Sequence, residues 1–242
     1  WGYGGYGGGI GLFGTLFVMA IAGIAVVSVM RAVRHAGARA DGWSEDDDYG
    51  APQVAPERAY LYRLQLALGR SGRGVQERLA QFAARGDTST EAGLASLLQQ
   101  TALELLREKD AVRYGSADGR GPMSLTNAET AMNSLALAER SRFQVERVRA
   151  TGGRVSASAV AAEEGKEALE LVVITLVVAT RTPFANFKAV ESPEDLEALL
   201  TELGSLPPDG LLGLEVVWTP ADANDSMTET DVMTTYPELR GI

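Results

Sequence analysis

From Ile10 to Met30 the chain runs for 21 residues without a charged side chain, and no other feature limits its fold as much. At 1.5 Å per residue, a helix of that length crosses a hydrocarbon core of about 30 Å, so residues 10–30 read as a single transmembrane helix. Arg31, Arg34, His35 and Arg39 follow at once, whereas the Gly-rich residues 1–9 carry no charge. By the positive-inside rule this asymmetry places everything beyond residue 39 on the cytoplasmic side or its organellar equivalent, with those four side chains at the membrane surface. On a helical wheel Gly11, Gly14, Thr15, Val18, Ala22 and Ala25 share one face. Small side chains let another helix approach closely, which makes this face the expected partner-binding surface. Gly9, Gly11 and Gly14 match the spacing of a dinucleotide fingerprint, but no strand precedes them and the reading is rejected.

Residues 31–56 form a basic flank and an acidic linker with the run Glu45–Asp48, a composition that cannot pack into a core. Residues 57–242 read as one soluble domain of α+β class. Its first half is expected to be helical: Ala59, Leu61, Leu64 and Leu68 recur at helical spacings, Val75–Ala84 continues the pattern, and Thr88 with Glu91 has capping-box spacing before a helix over 89–109. The glycines 69, 72 and 74, with Arg70 and Arg73 between them, mark a break between helices or a cradle for an anion. Residues 115–122 read as a loop and 137–149 as a further helix. Leu169–Thr180, apolar on both alternating faces, predicts an interior strand. Ser192, Pro193 and Asp195 predict a helix start and Gly204 its end. Leu211–Thr219 predicts a second strand, with Leu212, Leu214, Val216 and Trp218 on one face. Strand, helix and strand in sequence imply a small β-α-β unit with parallel strands, followed by a short C-terminal helix capped by Thr228 and Asp231.

Composition excludes much chemistry. The chain has no cysteine and one histidine, His35, so thiolate metal sites and cysteine nucleophiles are impossible. A net charge of −10 argues against nucleic acid, which is bound through clustered Lys and Arg. The charge is uneven: 15 basic against 11 acidic residues over 49–159, then 4 against 16 over 160–242, which points to two surfaces with different neighbours. Glu163 with Glu164 and Asp222 with Asp225 lack the dense ligand spacing of a calcium loop. Neither catalytic, cofactor-binding nor metal-binding residues are therefore expected, and the chain is expected not to be an enzyme.

The segments Asp87–Leu106, Leu135–Phe143, Leu169–Thr180, Leu211–Pro220 and Asp225–Leu239 together resemble a family of thylakoid membrane proteins of cyanobacteria, algae and plants. That family was long catalogued as a domain of unknown function and includes the fluctuating-light acclimation protein. The resemblance implies a chloroplast thylakoid location, single-pass, with the C-terminal domain in the stroma. It also implies a non-enzymatic auxiliary role on a photosynthetic membrane complex, photosystem II being favoured over others, during assembly, repair or light acclimation. Thylakoid lipid is the other expected partner. The alternative is a regulator of thylakoid ion or proton balance and photoprotective quenching. A helix with no ionisable residue between Ile10 and Met30 cannot form an ion path alone, which favours the first reading.

Overall fold

The computed structural model describes residues 17–21, 24–30, 57–72, 74–87, 90–152, 170–185, 187–220 and 226–242. The chain is α+β, as expected, but its elements are arranged differently from the expected helical half and parallel unit. The strands are β1 (Phe17–Ile21), β2 (Ile24–Met30), β3 (Arg58–Leu68), β4 (Val112–Ser124), β5 (Val172–Thr180), β6 (Leu211–Thr219) and β7 (Arg240–Gly241). They form one sheet in the order β1-β2-β6-β5-β3-β4-β7, antiparallel at every pairing. The helices are α1 (Gly74–Arg85), α2 (Glu91–Arg107), α3 (Leu125–Gly152), α4 (Pro193–Gly204) and α5 (Glu229–Thr235).

The first correction concerns residues 58–68, expected as helix and found as the central strand β3. Ala59, Leu61, Leu64 and Leu68 fit a helical stripe, but the same run also alternates, and alternation prevails because both faces are covered. Leu64, Leu66 and Leu68 join the core under α1, α2 and α4, whereas Ala59 and Leu61 pack beneath α3 and Ala67 beneath α5. A strand buried on both faces shows no one-sided stripe, so period alone misleads there.

Residues 115–122, expected as loop, belong to β4, which pairs with β3 from Arg58 to Leu68. Their glycines serve the pairing. A Cβ at Gly119 would lie 2.8 Å from the Tyr62 ring, and Gly121 has φ +140°, a conformation that L side chains rarely adopt. Glycine, charge and proline are tolerated here because β4 lies near the sheet edge.

The second strand pair is also corrected: β5 and β6 are antiparallel, Thr180 standing beside Leu211. The reason lies in the connection. After Thr180 the chain turns back along the sheet, with Phe184 and Phe187 against Tyr62 and Val190 against Gly115. Helix α4 then returns to the end it started from, where Arg181 N–H donates to Gly210 O at 2.9 Å. Interior placement of β5 between β3 and β6 is as expected. So are the α4 cap, where Asp195 N–H donates to Ser192 Oγ at 3.2 Å, and the reciprocal Thr228 and Asp231 capping box of α5.

Helix α2 begins two residues later than its expected start, with Thr90 as N-cap; Gly93 N–H donates to its Oγ1 at 3.0 Å. A Cβ on Gly93 would stand 1.6 Å from the Asp87 carbonyl oxygen. Gly93→Ala must therefore push the preceding loop away and loosen the cap, at an expected cost of about 1–2 kcal/mol. Urea unfolding of the variant beside the parent chain measures it; equal midpoints would show that the loop yields freely.

The expected membrane helix over 10–30 also differs in its described part, where Phe17–Ile21 and Ile24–Met30 are strands. β2 pairs with β6 from Ala25–Trp218 to Met30–Gly213, supplying partners to backbone groups that would otherwise form an open edge. Its Ile, Val, Val, Val content suits a strand as well as a membrane helix. Among the described residues, no helix is long and apolar enough to cross a membrane.

Candidate functional site

Polar residues interrupt the sheet face under α3 in a single band. On β3 the outward order is Ala59, Leu61, Arg63, Gln65, Ala67, and on β5 it is Ala179, Val177, Thr175, Val173, Leu171. The two strands are matched by the pairs Arg63–Val177 and Gln65–Thr175. The band continues to Asp118 and Ser116 on β4 and to Glu215 on β6, the neighbour of Val177. Gln65, Thr175 and Glu215 are all buried. On one side of the band lies the apolar cluster of Ala59, Leu61, Ala128, Met132, Val177, Ala179 and Leu212. On the other lies that of Ala67, Leu171, Val173, Met227, Val232, Tyr236 and Leu239.

Across this band α3 lays Glu139, 1% exposed. Gln65 Nε2 donates to both of its carboxylate oxygens at 3.2 and 3.3 Å, and Arg63 Nη1 approaches at 3.4 Å. The Arg63 guanidinium also donates to Asp118 at 2.7 Å and lies 3.5 Å from Glu238. Arg142, one turn beyond Glu139, reaches Glu238 at 2.6 Å and Glu139 at 3.8 Å. It also donates to Thr235 O at 3.1 Å and sits 5.1 Å from the Tyr236 ring centroid, a cation–π contact. Four elements are thus fastened together: β3, β4, α3 and the C-terminal segment.

Burial is the main force on the Glu139 carboxyl and raises its pKa; Arg142 and Arg63 pull it down without restoring it, and Glu238 adds to the rise. At Arg63 desolvation works against the charge, but Asp118, Glu139 and Glu238 outweigh it and raise the guanidinium pKa. Arg63 and Arg142 thus face three carboxylates in this group, and Arg120 lies 3.9 Å from Asp118 at its more exposed edge. The arrangement can hold charge in place and can take up a proton. Arginine at its centre opposes a cation, and among the described residues no group of three His, Cys, Asp or Glu could hold a metal ion.

A smaller polar cluster fastens the helices of the opposite face. Glu104 of α2, buried, receives the Arg78 guanidinium of α1, which also reaches Glu108 at 2.7 Å. Gln76 Nε2 donates to Pro220 O at 2.5 Å, tying α1 to the end of β6.

Little of the expected partner surface falls within the described residues. Gly11, Gly14, Thr15, Ala22 and the basic Arg31, Arg34, His35 and Arg39 lie outside them, as do the acidic pairs at 163–164 and 222–225. Val18 is on β1 and Ala25 on β2, facing Val27 and Ala20, so they do not share a helix face. The glycine stretch after Leu68 serves packing: a Cβ on Gly72 would come 2.9 Å from the Leu68 side chain, and Arg70 reaches Glu170 at 3.6 Å. Sequence reasoning missed the polar band. Its signal was present in Arg63 and Gln65, two polar residues at alternate positions of an otherwise apolar run.

Two relatives were found among characterised proteins. One, named Protein FLAP1 homolog A, from Synechocystis sp. (strain ATCC 27184 / PCC 6803 / Kazusa), is 33% identical over 221 residues, 87% of this chain and 64% of the relative. The other, FLUCTUATING-LIGHT-ACCLIMATION protein 1, chloroplastic, from Arabidopsis thaliana, is 28% identical over 186 residues, 76% of this chain and 47% of the relative. The chain thus spans about half to two thirds of the length of these relatives. No solved structure matches it. The family model described as "Protein of unknown function (DUF1517)" matches residues 58–242, which includes every strand and helix of the polar band, and the chain therefore belongs to the DUF1517 family.

Proposed function

We propose that this protein is a non-enzymatic auxiliary factor of the chloroplast that acts in light acclimation by binding a photosynthetic membrane complex, with photosystem II the favoured partner. The observation that carries this reading is the match of residues 58–242 to the DUF1517 family, together with the similarity to a chloroplast relative named fluctuating-light-acclimation protein 1. The use of the domain's buried charges supports a binding role. Arg63, Arg142, Glu139 and Glu238 are engaged with one another in fastening α3 and the C-terminal segment, an arrangement that builds a rigid surface.

Attachment to the thylakoid is part of the proposal. The 21 uncharged residues 10–30 are long enough to span a bilayer as a helix, and the arginines that follow favour a stromal domain. On insertion, the strand pair on β6 would give way to a helix that satisfies its own backbone groups, as the bilayer requires. A line lacking the protein should perform like its parent in steady light and fall behind when light alternates between weak and strong. Equal behaviour in both regimes would remove the acclimation role. In the complemented line the protein should stay with thylakoids through carbonate washing; its release would remove the membrane anchor.

A further inference from the structure

We propose that the Glu139 carboxyl is a proton-operated latch, fastening α3 and residues 236–242 to the sheet when neutral and loosening them when ionised. The geometry places it at the junction. Glu139 projects from α3 onto Gln65 and Arg63 of β3, while its helical neighbour Arg142 reaches Glu238 and the Tyr236 ring of the C-terminal segment.

Among the described residues, charged groups converge on this point from several elements. Arg63 comes from β3, Asp118 from β4, Arg142 from α3 itself and Glu238 from the C-terminal segment; Glu215 of β6 lies on the same sheet face. Arg120 of β4 lies 3.9 Å from Asp118; with Glu139 itself and all of these groups ionised, three guanidiniums meet four carboxylates, one negative charge in excess among the described residues, at a place where Glu139 is 1% exposed. Removing that excess requires either a proton or water, and water reaches Glu139 only if α3 lifts.

Gln65 fits both states. Its Nε2 donates to the carboxylate, and its Oε1 is buried without a hydrogen-bond partner. A neutral carboxyl gains a donor proton, and rotation of the amide offers Oε1 to accept it. The sign of the effect follows from burial. Because the folded pKa of Glu139 is raised, the folded state binds its proton more tightly than an unfolded or lifted state. Fastening is therefore strongest below the unfolded carboxylate pKa and weakens as pH rises, the loss being complete above the raised value.

The test is amide hydrogen exchange on the full chain across pH, corrected for the intrinsic base-catalysed rate. Between the ordinary carboxylate pKa and the raised pKa of Glu139, protection of residues 125–142 and 236–242 should fall by up to about tenfold per pH unit, the slope of one linked proton, and level off above it. Glu139→Gln should flatten that slope, whereas Glu238→Gln should keep it. An unchanged slope in Glu139→Gln, or protection that rises with pH in the parent chain, would overturn the proposal. Should Glu139→Gln not fold, the carboxyl carbon of Glu139 can be titrated by NMR in the parent chain. A pKa at or below the ordinary carboxylate range contradicts the latch, and a raised one supports it.

Discussion

Arg63→Met should destabilise the domain by about 3–5 kcal/mol, the range measured when one partner of a buried ion pair is removed. Methionine fills much of the same volume, so the loss is electrostatic and not a cavity. Arg63 is 15% exposed on its side chain and is shared by Asp118, Glu139 and Glu238; without it, Glu139 and Glu238 are left with Arg142 and Asp118 with the more exposed Arg120 at 3.9 Å. The deficit should depend on pH in a fixed direction. Losing Arg63 removes one of the two attractions that hold the Glu139 pKa down, so it rises further and the penalty grows toward alkaline pH. Since a domain is stable by only about 5–15 kcal/mol in total, the variant should unfold at a much lower urea concentration than the parent chain, and the gap should be wider at alkaline pH than at a pH below the ordinary carboxylate range. A midpoint within experimental error of the parent chain at both pH values would mean that the band is solvated and does not fasten α3.

Trp218→Ala should cost about 3–5 kcal/mol by a different route, the cavity left when a large aromatic side chain leaves a core. Trp218 is 4% exposed and packs with Leu214 and Val216 in the core beneath α1, α2 and α4. Its backbone is paired on one side with Ile174 of β5 and on the other with Ala25 of β2, so collapse around the cavity would disturb two strands at once. This loss should be nearly independent of pH, because the charges of the polar band lie on the opposite sheet face. Thermal unfolding distinguishes the outcomes. A variant as stable as its parent that fails to bind a partner would make Trp218 a surface anchor and contradict its assignment to the core.

The difference between what was legible in the sequence and what was not follows a physical line. Caps were legible because they depend on three or four adjacent residues: Ser192 with Asp195 and Thr228 with Asp231 act as expected. The strands β5 and β6 were legible because β-branched runs flanked by turn residues admit few alternatives. β3 was not, since an apolar run buried on both faces also fits a helical stripe. β4 was not either, because its Gly115, Gly119 and Gly121 suit a loop until Tyr62 and Tyr60 are placed against them. Strand direction depended on the return path of residues 181–191, which has no local signature. Nor did the candidate site have one. Arg63, Asp118, Glu139 and Glu238 are spread over 176 positions and meet only once the sheet is formed; the local hints were Arg63 and Gln65 at alternate positions of an apolar run and the pair Glu139 and Arg142 one helical turn apart.

The central claim is that the protein acts by binding a photosynthetic membrane complex, and copurification of the full-length tagged protein from mildly solubilised thylakoids tests it most directly. The account predicts photosystem II subunits at stoichiometric yield with the tagged protein. Recovery of an ion transporter without any photosystem, or migration of the protein alone under conditions that keep photosystem complexes intact, would contradict it.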